Sequence, residues 1–341
     1  MNTVTIHVGD CLDTLRKMPD GSVQCCATSP PYWGLRDYGH DGQIGLESTP
    51  EAYVARMVEV FREVRRVLRD DGTLWLNLGD SYASKPCASH GYKDGRTNRG
   101  QRSSAGVPDG LKSKDLVGIP WRVAFALQAD GWWLRQDIIW HKPNPMPESV
   151  TDRCTKAHEY VFLLSKSERY YYDAEAVSEP VSVSTTARLS QPGLSLQAGS
   201  DRVPGKTNGP MKAVGPRFSG SKFGDSDDPK HATKSGNVYQ IPDANGRRNR
   251  RSVWTITTKP FSGAHFAVMP PDLADLCIRA GCPEGGVVLD PFGGAGTVGL
   301  VADRLGRDAV LCELNPEYAE LARRRIADDN RLFGKVIVRN S

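Results

Sequence analysis

The sequence predicts an α/β fold with a doubly wound, mainly parallel sheet that carries helices on both faces. Short apolar runs, each ending in a polar residue, alternate with segments of helical spacing, and one run leads into a glycine-rich turn. The runs end at Asp10, Ser29, Asp80, Asp290 and Glu313. Strands that alternate with helices form parallel sheets, and such sheets bind ligands beyond the carboxyl ends of their strands. Any site is therefore expected among these five ends.

Helices are predicted at residues 50–69, 117–129, 271–280 and 316–328. In the first, apolar residues recur on one face from Tyr53 to Leu68, and Thr49 is placed to cap it. The last carries Arg323, Arg324 and Arg325, which we interpret as a solvated face near the helix C-terminus. Residues 33–49, rich in glycine, are expected to form a mobile loop.

Composition is that of a soluble protein: 341 residues, 39% hydrophobic and 25% charged, with a formal net charge of +4. This mildly basic balance permits a nucleic-acid partner without requiring one. No apolar run approaches the roughly 18 residues of a membrane span. The eight cysteines contain no CxxC pair, so free thiols in a reducing cytoplasm are expected and a metal site is not.

Ser29-Pro30-Pro31-Tyr32 is the first motif with chemical content. Two successive prolines stiffen the turn that follows a buried strand, and the turn offers carbonyl oxygens, a hydroxyl and an aromatic ring. A flat molecule with an exocyclic amino group, such as a nucleic-acid base, fits this set. Taken alone, the tetrapeptide is equally compatible with an ordinary loop.

A glycine loop is the second motif. An apolar strand ending at Asp290 leads into Gly293-Gly294-Ala295-Gly296-Thr297, and a helix follows. Glu313 comes roughly 20 residues later, at the end of the next strand, where an acid can hold ribose hydroxyls. The order strand, glycine loop, helix, strand, acid predicts a nucleotide-like cofactor more strongly than the glycines do.

Together these motifs resemble the amino-methylating DNA methyltransferases, in the β group of which the catalytic motif precedes the cofactor loop. The resemblance implies S-adenosyl-L-methionine (AdoMet) as cofactor, with Glu313 on its ribose and Asp10 near its adenine. The remaining residues that it implies for the cofactor site are Phe266, Met269, Asp290, Phe292, Gly294, Gly296, Thr297 and Asn315.

The resemblance also implies that the target base is flipped out of double-stranded DNA, stacked on Tyr32 and methylated directly. Ser29 and the carbonyl of Pro30 are the expected acceptors of its amino hydrogens. Family members with Ser at this position mostly modify cytosine N4, and those with Asp mostly modify adenine N6. Cytosine N4 is therefore predicted, with adenine N6 as the alternative.

Three regions are predicted: a catalytic half (1–172, with a basic loop at 84–115), a target-recognition insertion (173–251) and an AdoMet-binding half (252–341). The insertion is rich in Ser, Gly, Pro, Lys and Arg, which also suits a solvated linker. DNA contacts are expected from Lys142, Arg247, Arg248, Arg250 and Arg251. The resemblance implies a cytoplasmic location in a bacterial or phage-infected cell. Whether the protein forms a homodimer, and whether a separate cognate restriction endonuclease exists, are left open by the sequence.

Other functions also fit parts of the sequence. A nicotinamide-dependent oxidoreductase would account for the literal GxGxxG of Gly294, Gly296 and Gly299 together with Glu313, but it leaves the Ser-Pro-Pro-Tyr turn unexplained. A non-catalytic DNA-binding module and an amino-methyltransferase acting on RNA or protein remain further alternatives.

Overall fold

The computed structural model describes residues 2–35, 40, 42–83, 107–182, 187, 247–259, 268–329 and 335–340. The chain divides into two compact units, Met1–Asp173 with Ser252–Ser341, and Ala174–Arg251. Within the described residues, the first unit has nine strands and six helices, and the second has a two-stranded antiparallel ribbon. The strands are β1 (Thr3–Val8), β2 (Val23–Thr28), β3 (Leu68–Leu78), β4 (Trp133–His141), β5 (His158–Ser165), β6 (Glu179–Pro180), β7 (Arg247–Arg248), β8 (Val253–Thr255), β9 (Val287–Asp290), β10 (Asp308–Glu313) and β11 (Lys335–Asn340). The helices are α1 (Cys11–Lys17), α2 (Pro50–Val67), α3 (Ile119–Ala129), α4 (Pro271–Gly281), α5 (Thr297–Arg304) and α6 (Pro316–Asp329).

The sheet of the first unit has the order β11-β1-β10-β9-β2-β3-β5-β4-β8. Neighbours from β11 to β3 are parallel, β5 runs antiparallel to β3 and β4, and β8 is parallel to β4. From the central pair β9 and β2, the chain winds outward to β10 on one side and to β3 on the other. This pair is the point at which strand order reverses, where doubly wound sheets bind their ligands. The predicted fold class is confirmed.

Helices cover both faces of the sheet because alternate side chains of each strand point to opposite sides. On β3, Leu74 and Leu76 belong to the apolar core that includes the buried side chains of α1, α2 and α3. Trp75, between them, faces α4, where a side chain on Gly281 would lie 2.3 Å from its Nε1 atom. A helix can approach the sheet this closely only because position 281 has no side chain.

Helix α2 forms as the apolar spacing predicts. The hydroxyl oxygen of Thr49 accepts a hydrogen bond from the backbone N–H of Ala52 at 3.1 Å, which caps the first turn. The core-facing residues of α2 are fully buried: Tyr53, Met57, Val60, Phe61, Val64 and Val67. The helix ends at Val67, two residues before the predicted end, because Leu68 is already extended and starts β3.

The segment after Tyr32 differs from the predicted mobile glycine loop. Trp33 is 4% exposed, and its indole N–H donates to the carbonyl of Glu47 at 2.9 Å. Ile44 is also buried. Residues 36–39 and 41, like most of the predicted basic loop (84–106), lie outside the described residues. Trp33 and Ile44 thus join the core on either side of that gap.

No helix in the described part of the chain has both the length and the apolar character that crossing a membrane requires.

Truncation of Phe61 tests the packing of α2 against the sheet. Phe61→Ala removes a fully buried ring and is expected to lower the free energy of unfolding by about 3–5 kcal/mol, as measured by urea denaturation. Phe125→Ala is the matched control, because Phe125 is 55% exposed, and it is expected to cost less than about 1 kcal/mol. Equal losses for the two variants would contradict this account of the core.

Candidate active site

The Ser-Pro-Pro-Tyr turn and the glycine loop meet at the centre of the sheet. They follow β2 and β9, which are parallel neighbours with Cys26 aligned to Leu289. The hydroxyl of Thr28, at the end of β2, donates to Oδ1 of Asp290, at the end of β9, over 2.6 Å. Because the strands are parallel, both motifs leave the same edge of the sheet, although 262 residues separate this pair in the sequence.

The prolyl turn is held from below by Tyr53 of α2. Its phenol donates to the carbonyl of Pro31 at 2.9 Å, and burial raises its pKa, so it stays protonated as a donor. Pro30 is buried, and no described residue donates a hydrogen bond to its carbonyl. Among the described residues, the carbonyl of Pro30 therefore keeps both of its lone pairs, whereas that of Pro31 already has one in use.

Tyr32 is held at its hydroxyl and along one side of its ring. Its phenol donates to Oε2 of Glu159 at 2.7 Å, and the ring lies against Gly79, where an added Cβ would be 2.6 Å from Cε2. Burial, followed by the nearby charge of Glu159, raises the pKa of the phenol well above its usual value. The hydroxyl of Ser29 donates to the phenol oxygen over a longer 3.4 Å.

Glu159 joins several polar side chains near this turn. Its Oε2 also accepts from the amide of Asn77 at 3.2 Å, and its Oε1 pairs with the ammonium of Lys142. That ammonium lies 4.3 Å from the centre of the Trp140 ring. The sequence motifs assign no role to Glu159, so its contact with Tyr32 is a finding of the structure.

Lys142 was predicted to contact DNA, and the structure gives its charge a different partner. The side chains of Lys142 and Glu159 are only 18% and 15% exposed, and they form an ion pair. This ion pair places the Lys142 ammonium one contact away from Tyr32, through Glu159. Its contact with DNA stays a prediction.

The glycine loop has a left-handed backbone at two of its glycines. Gly294 and Gly296 have φ values of +48° and +73°, which residues other than glycine rarely adopt. At Gly296 a Cβ would also lie 2.7 Å from Cβ of Ala322 on α6. At Gly294 it would meet only the carbonyl oxygen of Phe292, at 3.9 Å. The loop is therefore packed against α6 at Gly296 and open at Gly294.

Glu313 lies against the open part of this loop. Its Oε2 accepts from the backbone N–H of Gly294 at 2.7 Å and its Oε1 from that of Asn315 at 2.8 Å. Burial raises the pKa of the carboxyl, and these two backbone donors oppose the shift. Each carboxylate oxygen has a further lone pair for another donor. The side-chain oxygen of Asn315 accepts from the N–H of Glu317 at 2.8 Å, so it caps α6.

Asp10 has two structural partners in addition to its predicted place beside a cofactor. Its Oδ1 accepts from the N–H of Leu12 at 2.7 Å and caps α1, and its Oδ2 lies 3.6 Å from a guanidinium nitrogen of Arg56. The preceding Gly9 donates its N–H to the carbonyl of Glu313 at 2.9 Å. The end of β1 therefore lies beside that of β10.

The apolar residues predicted for the cofactor pocket are only partly located. Phe292 follows Asp290 and donates its N–H to Oδ1 of that residue at 3.0 Å. Met269 precedes α4 and is half-buried, with no described contact to the glycine loop. Phe266 lies outside the described residues. The contributions of Met269 and Phe266 stay predictions.

Arg325 corrects the interpretation of the arginines on α6 as a solvated face. One of its guanidinium nitrogens lies 2.9 Å from the carbonyl of Ala295 and 2.9 Å from the hydroxyl of Thr297. Arg323 and Arg324 instead pair with Glu320 at the surface. Arg325 therefore ties the glycine loop to α6, a role that its Arg-Arg-Arg context does not reveal.

In the second unit, the four arginines predicted to contact DNA bond to residues 177–179. Arg248 and Arg251 both pair with the carboxylate of Glu179. Arg247 donates to the hydroxyl of Ser178 at 2.7 Å, and Arg250 donates to the carbonyl of Val177 at 2.7 Å. These bonds join residues 177–179 to residues 247–251, near the two ends of the predicted insertion. The DNA contacts of the four arginines stay predictions.

Asp290, which links the two motifs, is buried with 4% exposure. Burial raises the pKa of its carboxyl to about 7, while the Thr28 hydroxyl and the Phe292 N–H, both donating to it, act in the opposite direction. Near neutral pH this carboxyl therefore exists in both protonation states.

This constellation of prolyl turn, glycine loop and terminal acid lies within a region that matches a family profile described as DNA methylase, from residue 23 to residue 324. The chain belongs to the N6/N4 DNA methylase family. As a DNA amino-methyltransferase it uses AdoMet as methyl donor, which confirms the cofactor predicted from the motifs.

Full-length relatives agree with this assignment. The chain is 44% identical to the type II methyltransferase M.Cfr9I of Citrobacter freundii over 333 residues, which covers 97% of this chain and 90% of the relative. It is also 44% identical to M.SmaI of Serratia marcescens over 326 residues, with 96% and 91% covered.

Solved structures share the fold. TTHA0409 of Thermus thermophilus, a candidate DNA modification methylase solved in complex with S-adenosyl-L-methionine, superposes with a TM-score of 0.56 at 23% identity, covering 99% of this chain and 100% of that one. The cytosine-N4-specific PvuII DNA methyltransferase superposes with a TM-score of 0.58 at 19% identity, covering 100% and 96%.

The raised pKa of Asp290 predicts that stability depends on pH. Between the unfolded pKa near 3.8 and the folded pKa of about 7, the folded protein keeps a proton that the unfolded chain has released. The stabilisation is complete below pH 3.8 and is lost as pH rises through 7, by roughly 4 kcal/mol. Urea denaturation at several pH values is expected to show this fall in the wild type.

Two variants assign that pH dependence to Asp290. Asp290→Asn stays neutral and should flatten the stability profile between pH 4 and 7. Thr28→Val removes the hydroxyl that favours the ionised carboxylate, so the fall should extend to higher pH. Parallel profiles for wild type and Asp290→Asn would show that Asp290 titrates normally.

Proposed function

We propose that this protein transfers a methyl group from AdoMet to the exocyclic N4 of a cytosine flipped out of double-stranded DNA. The observation that carries the proposal is the position of Ser29, a neutral acceptor at the end of β2, one residue after the Thr28–Asp290 bond that joins it to the cofactor loop. The choice of cytosine rests on Ser29, since family members with Ser at this position mostly modify cytosine.

The residues around the glycine loop fit AdoMet. The space above Gly294 is open, and both oxygens of Glu313 have lone pairs left for the ribose hydroxyls. Arg325 fixes the loop from behind through Ala295 and Thr297. When bound, AdoMet supplies an electrophilic methyl group on a positively charged sulfur.

Ser29 and Pro30 orient the amino group that accepts the methyl. The lone pair of an exocyclic amino nitrogen is delocalised into the base and is poorly nucleophilic. Two oxygen acceptors on its hydrogens favour a tetrahedral nitrogen with a localised lone pair. The hydroxyl of Ser29 and the carbonyl of Pro30 supply these acceptors, and Tyr53 holds the turn by its bond to Pro31.

Tyr32 provides the surface on which the base stacks. Extrusion of a base from the duplex costs a few kcal/mol, and stacking on an aromatic ring returns roughly 1–3 kcal/mol. Because these magnitudes are similar, the ring offsets most of the cost of extrusion. Gly79 behind it and Glu159 at its hydroxyl keep the ring in one orientation.

The unit Ala174–Arg251 is the proposed target-recognition region. Arg248 and Arg251 bring two guanidinium groups to the single carboxylate of Glu179, a local excess of positive charge that suits a phosphate backbone. Recognition of base edges within this unit would set the DNA sequence that is methylated.

Identification of the methylated nucleoside tests the proposed target. DNA from a host without DNA methylation is incubated with the protein and tritiated AdoMet, digested to nucleosides and separated by chromatography. Label in N4-methylcytosine is expected. Label in N6-methyladenine would refute the assignment based on Ser29, and absence of label from a protein that binds AdoMet would refute the methyltransferase activity itself.

Tyr32→Ala separates stacking from cofactor binding. Loss of the ring is expected to reduce kcat/KM about tenfold to hundredfold, in line with a stack of roughly 1–3 kcal/mol, while AdoMet affinity measured by calorimetry stays close to the wild-type value. Tyr170→Ala, which removes a half-buried ring that contacts Arg135, is the matched control and should keep normal activity. A parallel loss of AdoMet affinity in Tyr32→Ala would place the ring in the cofactor pocket.

A further inference from the structure

We propose that Glu159 is a positioning residue that fixes the direction of the hydrogen bonds at Ser29 through the phenol of Tyr32. The three side chains form a hydrogen-bond network, from Ser29 Oγ to Tyr32 Oη at 3.4 Å and from Tyr32 Oη to Glu159 Oε2 at 2.7 Å. The inference rests on the proposed function, because it concerns how Ser29 meets an amino group.

Donor and acceptor chemistry fixes the direction of both hydrogen bonds. The phenol of Tyr32 has one hydrogen and two acceptors near it, Glu159 Oε2 at 2.7 Å and Asn77 Oδ1 at 3.4 Å. A carboxylate oxygen can only accept, and it is much the closer of the two, so the phenol donates to Glu159. The phenol oxygen can then only accept from Ser29. The hydroxyl hydrogen of Ser29 thereby points toward Tyr32, which leaves the lone pairs of Ser29 for the hydrogens of an amino group.

The surroundings of Glu159 keep it an acceptor. Lys142 pairs with its Oε1, and Asn77 donates its amide N–H to Oε2 at 3.2 Å. The Asn77 amide also donates to the carbonyl of Tyr160 at 3.1 Å, which fixes its orientation. Among the described residues, each hydrogen-bonding group that contacts the carboxylate is a donor, so both of its oxygens act as acceptors.

The contact between Ser29 and Tyr32 is long for two hydroxyl groups. Catalytic hydrogen bonds are commonly long before substrate binds and shorten in the reactive complex. The phenol itself cannot move far to shorten it, because its ring lies against Gly79 and its hydroxyl is held at 2.7 Å by Glu159. The short bond to Glu159 therefore sets the point toward which Ser29 must turn.

A neutral serine can act as an acceptor reliably only if its own hydroxyl hydrogen has a fixed partner. A carboxylate at position 29 would present only lone pairs, whereas a hydroxyl can also turn its hydrogen toward the incoming amino group and oppose it. A fixed acceptor for that hydrogen removes the unproductive orientation. Glu159 performs this function without contacting the base.

A double-mutant cycle on Glu159 and Tyr32 tests the proposal. Tyr32→Phe removes the phenol, and Glu159→Gln leaves a single acceptor oxygen, which Lys142 also requires, so that the amide N–H₂ faces Tyr32. Both variants keep the size of the side chain, and each is expected to lower kcat roughly tenfold or more. KM for AdoMet should not change. The double variant should be no slower than the slower single variant, because a bond already broken cannot be lost again.

Glu63→Gln is the matched control. Glu63 pairs with Arg66 on α2 and is 24% exposed, close to the 15% of Glu159, but it lies away from the turn. This variant should keep normal kcat. If the losses of Glu159→Gln and Tyr32→Phe instead multiply, Glu159 acts independently of Tyr32, for example by direct contact with the base, and the proposal is overturned.

A spectroscopic measurement tests the bond without any reaction. In protein labelled with ¹³C at the Cζ position of tyrosine, the resonance missing from Tyr32→Phe identifies Tyr32, and this resonance should shift in Glu159→Gln but not in Glu63→Gln. An unchanged resonance overturns the proposal even if the wild type methylates DNA. Conversely, wild-type label in N6-methyladenine, or no label at all, refutes the proposed function while the resonance still reports on the bond.

Discussion

The hydrogen bond between Thr28 and Asp290 is the contact on which the site depends. It joins the ends of the two central strands, β2 and β9, beneath the two turns that carry the chemistry. Asp290 uses the same oxygen to accept from the N–H of Phe292. Thr28, just before the prolyl turn, and Phe292, just before the glycine loop, therefore share one acceptor. A shift of either strand would misplace both turns. The site is thus a property of strand pairing rather than of either loop alone.

Around that contact, each turn is held by a helix on its own side of the sheet. Tyr53 of α2 supports the prolyl turn through Pro31, and Arg325 of α6 supports the glycine loop through Ala295 and Thr297. Both supports end in polar groups that reach the loop backbone. Rigid elements therefore hold the two turns from opposite faces, which is the requirement for a site that must bring two substrates together in a defined geometry.

Local signals in the sequence were sufficient for the fold and for the two motifs. Apolar runs with polar ends, helical spacing from Tyr53 to Val67 and glycines that require positive φ act over a few residues, and the structure follows them closely. The contacts of Glu159, Lys142 and Arg325 join residues that are far apart in the sequence. Arg325 looks like its neighbours Arg323 and Arg324, and only packing against the glycine loop distinguishes it. Short strands such as β8 and β11 were missed for a related reason, since sheet neighbours rather than their own residues stabilise them.

The winding of the sheet has a consequence for how such proteins can diverge. Since β9 and β2 pair side by side although neither directly follows the other in the chain, the cleft does not depend on which of the two turns is translated first. A gene rearrangement that exchanged the order of the halves would preserve the reactive centre, provided that the same strands remained neighbours. Strand adjacency is fixed by the chemistry, whereas the linear arrangement of the motifs is free to vary.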